Sequence, residues 1–160
     1  MEINFLVLLA AAASTLVVGF VWYNPKVFGT IWMKESGMTE EKMKGANMAL
    51  IFGMSIFYAF LISMVIQMLT IHQWGAVSLV GGDPSLAKPS YEAFMADYGT
   101  AFRTFKHGAL HGLLTGIFLA IPMIGTAALY ERRSWKYVLI SGGYWIVSFM
   151  LMGGIICEWA

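Results

Sequence analysis

The chain has 160 residues, 59% of them hydrophobic and 12% charged, with a net charge of +1. Soluble domains carry roughly 25% charged residues, so this composition and a mean hydropathy of +0.70 exclude an ordinary water-soluble domain. The near-neutral balance excludes the basic face that nucleic acid requires, and the single cysteine, Cys157, excludes an internal disulfide and leaves the redox compartment open.

Taken in chain order, the first predicted element is an apolar helix over residues 3 to 22. Glu2, with no Lys or Arg ahead of the segment, argues against a cleaved signal peptide. Further apolar segments occupy 46 to 72, 108 to 130 and 137 to 157. Each reaches the roughly 20 helical residues that span a ~30 Å hydrocarbon layer. Runs such as FLVLLAAAA do not alternate as barrel strands do. No charge lies inside the four segments, where each would cost about 2.5 to 3.5 kcal/mol. The fold class is therefore all-α: one transmembrane domain over 1–160, an integral membrane four-helix bundle.

The connection after the first helix, WYNPKVFGTIWMKESGMTEEKMKGAN, opens on Asn24-Pro25, which ends the helix. Val27, Phe28, Ile31 and Trp32 then recur at the spacing of a short interfacial helix. Thr39, followed by Glu40 and Glu41, has the character of an N-cap. The second span therefore starts before the membrane unless Gly45 interrupts it. The connection after the second helix begins with a turn-rich loop containing GGDPSLAKPS. Tyr91, Phe94, Met95, Tyr98, Phe102 and Phe105 follow at helical spacing, which predicts an amphipathic interfacial helix over 90–106. In the third span, Pro122 removes a backbone donor and bends the helix.

Basic residues set an orientation. Lys26, Lys34, Lys42 and Lys44 in the first connection, with Arg132, Arg133 and Lys136 in the third, outnumber Lys88, Arg103 and Lys106 in the second. The positive-inside rule places both termini outside and the first and third connections in the cytoplasm. Trp22, Tyr23, Tyr130, Trp135 and Tyr137 mark the inner interface, Trp74 and Trp159 the outer one.

Helices associate in lipid by close approach along rows of small residues. Gly108, Gly112 and Gly116 form such a row, and Ser55, Ala59 and Ser63 a second. Ala11, Thr15 and Gly19, and the glycine pairs 142/143 and 153/154, supply analogues on the first and fourth helices. His107 and His111 lie about 100° around the helix from those glycines, the angle between adjacent residues. His72, Gln67, Asp97, Cys157 and Glu158 fall at the same membrane side. His72, His107, His111 and Glu158 form a candidate site for a divalent metal, since imidazole and carboxylate suit zinc or copper. A proton relay and plain interfacial hydrogen bonding are the other readings of the same residues. No HExxH or CxxC spacing decides among them. The hydroxyls of Ser14, Ser55, Ser63, Ser141 and Ser148 are expected to bond to the preceding helical turn. No nucleophile has a plausible base, and Glu158 beside Cys157 disfavours thiolate chemistry. An enzyme is not expected.

GFVWYNPKVFGTIWMKESGMTEEKMKGANM, residues 19 to 48, and ERRSWKYVLISGGYWIVSFMLMGG, residues 131 to 154, resemble the bacterial four-helix membrane family DUF1761, whose members have no settled activity. The WYNPKVFGTIW block carries most of that resemblance. It implies a multi-pass protein of the bacterial inner membrane and assigns no catalytic residue. Two function classes lead, and a third, a membrane enzyme acting on lipid or quinone, would require an enclosed apolar pocket beside the histidines. One is a non-enzymatic accessory or assembly component of a homo-oligomer or larger membrane complex, its partners otherwise being the lipid bilayer. The alternative is a small proton or metal-ion transporter or channel using the His/Glu cluster at the outer mouth.

Overall fold

The computed structural model describes residues 2–160 and shows helices, with no strand among the described residues. Four helical stretches are long and apolar enough to cross a membrane. They are α1 (Phe5–Trp22), α4 (Met48–Thr70), the continuous rod Phe105–Tyr130, and α9 (Trp135–Trp159). The rod consists of α7 (Phe105–Thr115), a π-helical turn (Gly116–Ala120) and α8 (Ile121–Tyr130). Each span opens on a polar N-cap that accepts from an otherwise orphaned first-turn amide: Asn4 from Val7, Asn47 from Leu50, Thr104 from His107 and Ser134 from Tyr137.

The caps move the ends of the spans from where hydropathy places them. Asn47 starts α4 because Gly45, at φ +84°, breaks the chain away from the short α3 (Glu40–Met43), which Thr39 caps as expected. Thr104 caps the third span so that it starts at Phe105, three residues before Gly108, and Ser134 caps the fourth, which starts at Trp135, before Tyr137. After Asn24-Pro25 a π-helical turn (Pro25–Gly29) continues into α2 (Thr30–Ser36).

The helix predicted over 90–106 is shorter than its pattern. It forms as α6 (Pro89–Tyr98), after which residues 99 to 104 make a tight turn with Phe102 at φ +62°. Left-handed backbone at an aromatic residue ends any helix, so Phe102 and Phe105 belong to different elements despite their helical spacing. The stretch expected as loop holds α5 (Gln73–Leu79).

Helix α9 is the hub. Half of its most apolar stretch is buried inside the chain, against 17–28% for the other spans. It packs along α7 and also meets α1, α4 and α8. Gly108 lies against Gly153, Gly112 against the Phe149 carbonyl and Gly116 against Ile146, so the two backbones touch along three turns. Trp22 Nε1 donates to the Ile140 carbonyl at 3.0 Å and the Tyr144 hydroxyl to the Thr15 carbonyl at 3.2 Å, fixing α1 on the other flank. Ala59 and Ser63 are buried on α4 while Ser55 faces outward. The hydroxyls of Ser14 and Ser63 bond back to Ala11 and Phe60, as small hydroxyls in apolar helices do, whereas the buried Ser148 hydroxyl, expected to do the same, has no partner among the described residues. The core joins Leu8, Ala11, Ile66, Ile71, Ala120, Phe149, Met152 and Ile156. Leu6, Phe20, Phe118 and Leu129 point outward, more than 70% exposed. Such apolar exposure is untenable in water and natural against lipid.

The first and third connections meet at one end, where Arg133 donates to the Ser36 carbonyl and Ser134 to Glu35. Residues 71 to 104, the start of α1 and the end of α9 lie at the other, the histidine end.

The backbone contact predicts an asymmetry among glycines. A methyl group at Gly112 would overlap the Phe149 backbone, whereas at Gly53 on α4 nothing lies within 4 Å. Gly112→Ala is expected to cost about 1–3 kcal/mol of stability through overpacking. Gly53→Ala is expected to be neutral or slightly stabilising, helix propensity favouring Ala by about 1 kcal/mol. Thermal unfolding of the two variants in one detergent checks the contrast.

Candidate functional site

The histidine end is assembled from three directions. His72 follows the last turn of α4 and leads into α5; His107 and His111 stand one turn apart on α7. The glycine contact orients that turn. Because Gly108 and Gly112 face α9, the histidines preceding each are rotated by about 100°, toward the α4–α5 junction. The ligand-capable nitrogens of His72, His107 and His111 all lie within 4.8 Å of one another. His72 Nε2 and His107 Nε2 are 3.0 Å apart, and the His111 ring centroid is 4.9 Å and 4.5 Å from those of His72 and His107. His72 is exposed and the other two are half-buried.

Glu158 is not part of this group. Its carboxylate accepts from the Phe105 backbone N–H at 2.6 Å. A carboxylate there satisfies an orphaned first-turn amide and complements the positive end of the helix, which is why it turns toward α7 and away from the imidazoles. Gln67 is buried on α4 and, among the described residues, makes no hydrogen bond to His111. Cys157 is buried, its thiol set against the Thr70 and Phe102 carbonyls at 3.5 and 3.3 Å.

The turn over 99–104 completes the site, and residue spacing alone gives no signal for it. Arg103 Nε donates to the Cys157 carbonyl at 3.0 Å, and its guanidinium reaches the Ala160 carbonyl as well. The guanidinium thus serves carbonyls at the α9 C-terminus that have no partner within the helix. Anchored this way, the turn sets the Phe102 ring on His107, centroids 5.1 Å apart and nearly parallel, with its edge toward His72 at 6.3 Å. Gln73, the first residue of α5, donates from Nε2 to the Tyr98 and Ala101 carbonyls at 2.7 and 3.0 Å. A cavity of about 200 Å³ opens beside His72, lined by Gln73, Phe94, Tyr98, Ala101 and Phe102. A second cavity, about 370 Å³ and almost wholly apolar, lies deeper between α4, the π turn, α8 and α9, with Thr115 and Trp145 in its wall.

Four apolar helical spans, a hub helix and a cluster of imidazoles at one end define a polytopic helical membrane protein with a candidate metal centre. The chain belongs to the DUF1761 family, described as a protein of unknown function, whose family model matches residues 6–157. No curated protein and no solved structure matches it.

The two roles conceivable for Glu158 separate by substitution. As a cap, it tolerates Glu158→Gln, whose amide oxygen still accepts from Phe105, and loses about 1 kcal/mol in Glu158→Leu. Neither change is expected to alter metal stoichiometry, measured by elemental analysis of the purified protein; a metal-poor Glu158→Gln protein would place the carboxylate among the ligands.

Proposed function

We propose that this protein is a non-enzymatic component of the membrane that binds a transition-metal ion, zinc(II) foremost, through His72, His107 and His111. The observation that carries the reading is the convergence of every histidine in the chain on one point from two spans. A hydrogen-bonded imidazole pair accounts for His72 and His107, but not for His111 brought within reach of both. Zinc bonds of 2.0–2.1 Å in tetrahedral geometry separate ligand nitrogens by about 3.3 Å, a spacing that small ring rotations reach from the present one. Three imidazoles leave a fourth position open to water or another ligand.

Binding at the surface is favoured over passage through the bundle. The deeper cavity offers an ion apolar walls with Thr115 as its hydroxyl, and the Thr115 hydroxyl already donates to the His111 carbonyl at 2.8 Å. An uncompensated ion there would lose its hydration with little in return. The transporter reading needs a route that these walls do not supply.

The excess of basic residues at the opposite end supports an orientation in which the histidines and both termini face outward from a bacterial cytoplasmic membrane. A second copy or a larger complex would meet the exposed apolar faces, since α9 already occupies the row Gly108, Gly112 and Gly116.

Chelator-stripped protein titrated with zinc is expected to bind one ion per chain. His72→Ala, His107→Ala and His111→Ala should each weaken binding by at least about 100-fold, since loss of even an outer-shell partner costs 10- to 100-fold. Wild-type binding that persists in all three variants would overturn the assignment. The orientation is checked in intact cells with an impermeant maleimide: Lys88→Cys should label directly, and Lys42→Cys only after permeabilisation.

A further inference from the structure

We infer that α4 pairs with α4 of a second copy of this chain, as parallel helices in the membrane, along a seam centred on Ser55 and Tyr58. The inference rests on the reading that the exposed faces take a partner, names that partner, and is independent of the metal site. It starts from Tyr58, one residue from the midpoint of α4 and 56% exposed. Ser63 and Thr70 of the same helix bond back to the preceding turn, whereas the Ser55 and Tyr58 hydroxyls have no partner among the described residues. Ser55 can still turn to its own helix, as small hydroxyls do. Tyr58 cannot, because its rigid ring carries the hydroxyl away from the backbone, and the surrounding hydrocarbon offers neither donor nor acceptor.

The stripe around these two residues has the form of a helix-pairing seam. Ile51, Ser55, Tyr58, Ile62, Val65 and Leu69 recur at alternating spacings of four and three, the a/d repeat of two helices that wind about each other. None of the six is buried, and α4 is the least covered of the four spans. Ile62 and Val65 also line the apolar cavity of about 370 Å³, so a helix laid along the seam borders that cavity as well.

Donor–acceptor complementarity selects the occupant. Two copies inserted with the same orientation hold their α4 helices parallel and at equal depth. A helical side chain leans toward the N-terminus of its helix, so the Tyr58 hydroxyl reaches the level of Ser55, three residues or about 4.5 Å back along the axis. In a two-fold pair, the Tyr58 hydroxyl of each copy donates to the Ser55 hydroxyl oxygen of the other, and both bonds form together. A lipid chain satisfies neither hydroxyl. An unrelated protein would need a polar group at this one depth, which a second copy carries by construction.

The test uses the purified full chain in liposomes at high lipid dilution, with a chelator present so that zinc plays no part. Single cysteines are oxidised with iodine, which leaves copper away from the histidines, and the wild-type chain with its buried Cys157 serves as the blank. Ile51→Cys and Ile62→Cys should form disulfide-linked dimers, while Phe57→Cys and Met68→Cys, exposed on α4 but off the seam, should not. Energy transfer between copies labelled at Lys88→Cys should show Tyr58→Phe weakening self-association about tenfold, since two interhelical hydrogen bonds are lost per pair. Zinc binding by Tyr58→Phe should match wild type, so the pairing and the metal reading fail separately. Absent or equal cross-linking at the four positions, or wild-type association of Tyr58→Phe, would overturn the proposal. A cross-link to a species of different mass in native membranes, with none in liposomes, would assign the seam to another protein and overturn it too.

Discussion

The contact on which the rest depends is the backbone-to-backbone approach of α7 and α9. Between apolar helices in lipid there is no hydrophobic force to bring partners together, so stability comes from contact area and from dispersion across a short gap. Gly108 against Gly153 and Gly112 against the Phe149 carbonyl let the helices come closer than any side chain would allow. The same contact orients chemistry. With the glycines committed to α9, the residue before each is turned to the flank, and in both cases that residue is a histidine. Packing and site are two faces of one helix, related by a single residue step.

A second consequence concerns the 99–104 turn. It is built less from its own sequence than from two distant anchors: the α9 carbonyls that receive Arg103 and the α5 amide that holds the Tyr98 and Ala101 carbonyls. Those bonds hold a left-handed Phe102 over the imidazoles. The turn is a lid in shape, and its rigidity is borrowed from elements more than twenty residues away.

Much of this was legible in the sequence. The four spans follow from apolar length and excluded charge, and the cap at Thr39 and the break at Gly45 follow from local chemistry that acts within a few residues. The small-residue row on α7 is visible as a pattern, although only the fold reveals that α9 of the same chain fills it. The misreading of 90–106 as one helix has a physical cause: Phe102 and Phe105 continue the apolar period of α6, and period alone does not sense the tertiary bonds that force a left-handed residue. Gln73 and Arg103 were invisible as site residues because their partners lie 25 to 57 positions away. Glu158 showed the reverse error, since nearness to the histidines along the membrane normal suggested a ligand while the first amide of α7 had the stronger claim.

The hub position of α9 also bears on biogenesis. Synthesis runs from the N-terminus, so the helix that unites these four spans leaves the ribosome after the other three. Until it arrives, α1 and α4 have each other to lean on, but the glycine flank of α7 has no mate and must wait in the translocon or in lipid. During that interval the nascent protein presents a bare groove to other hydrophobic segments. Closure of the bundle therefore waits on α9, because no other span supplies the surface that the α7 glycines meet.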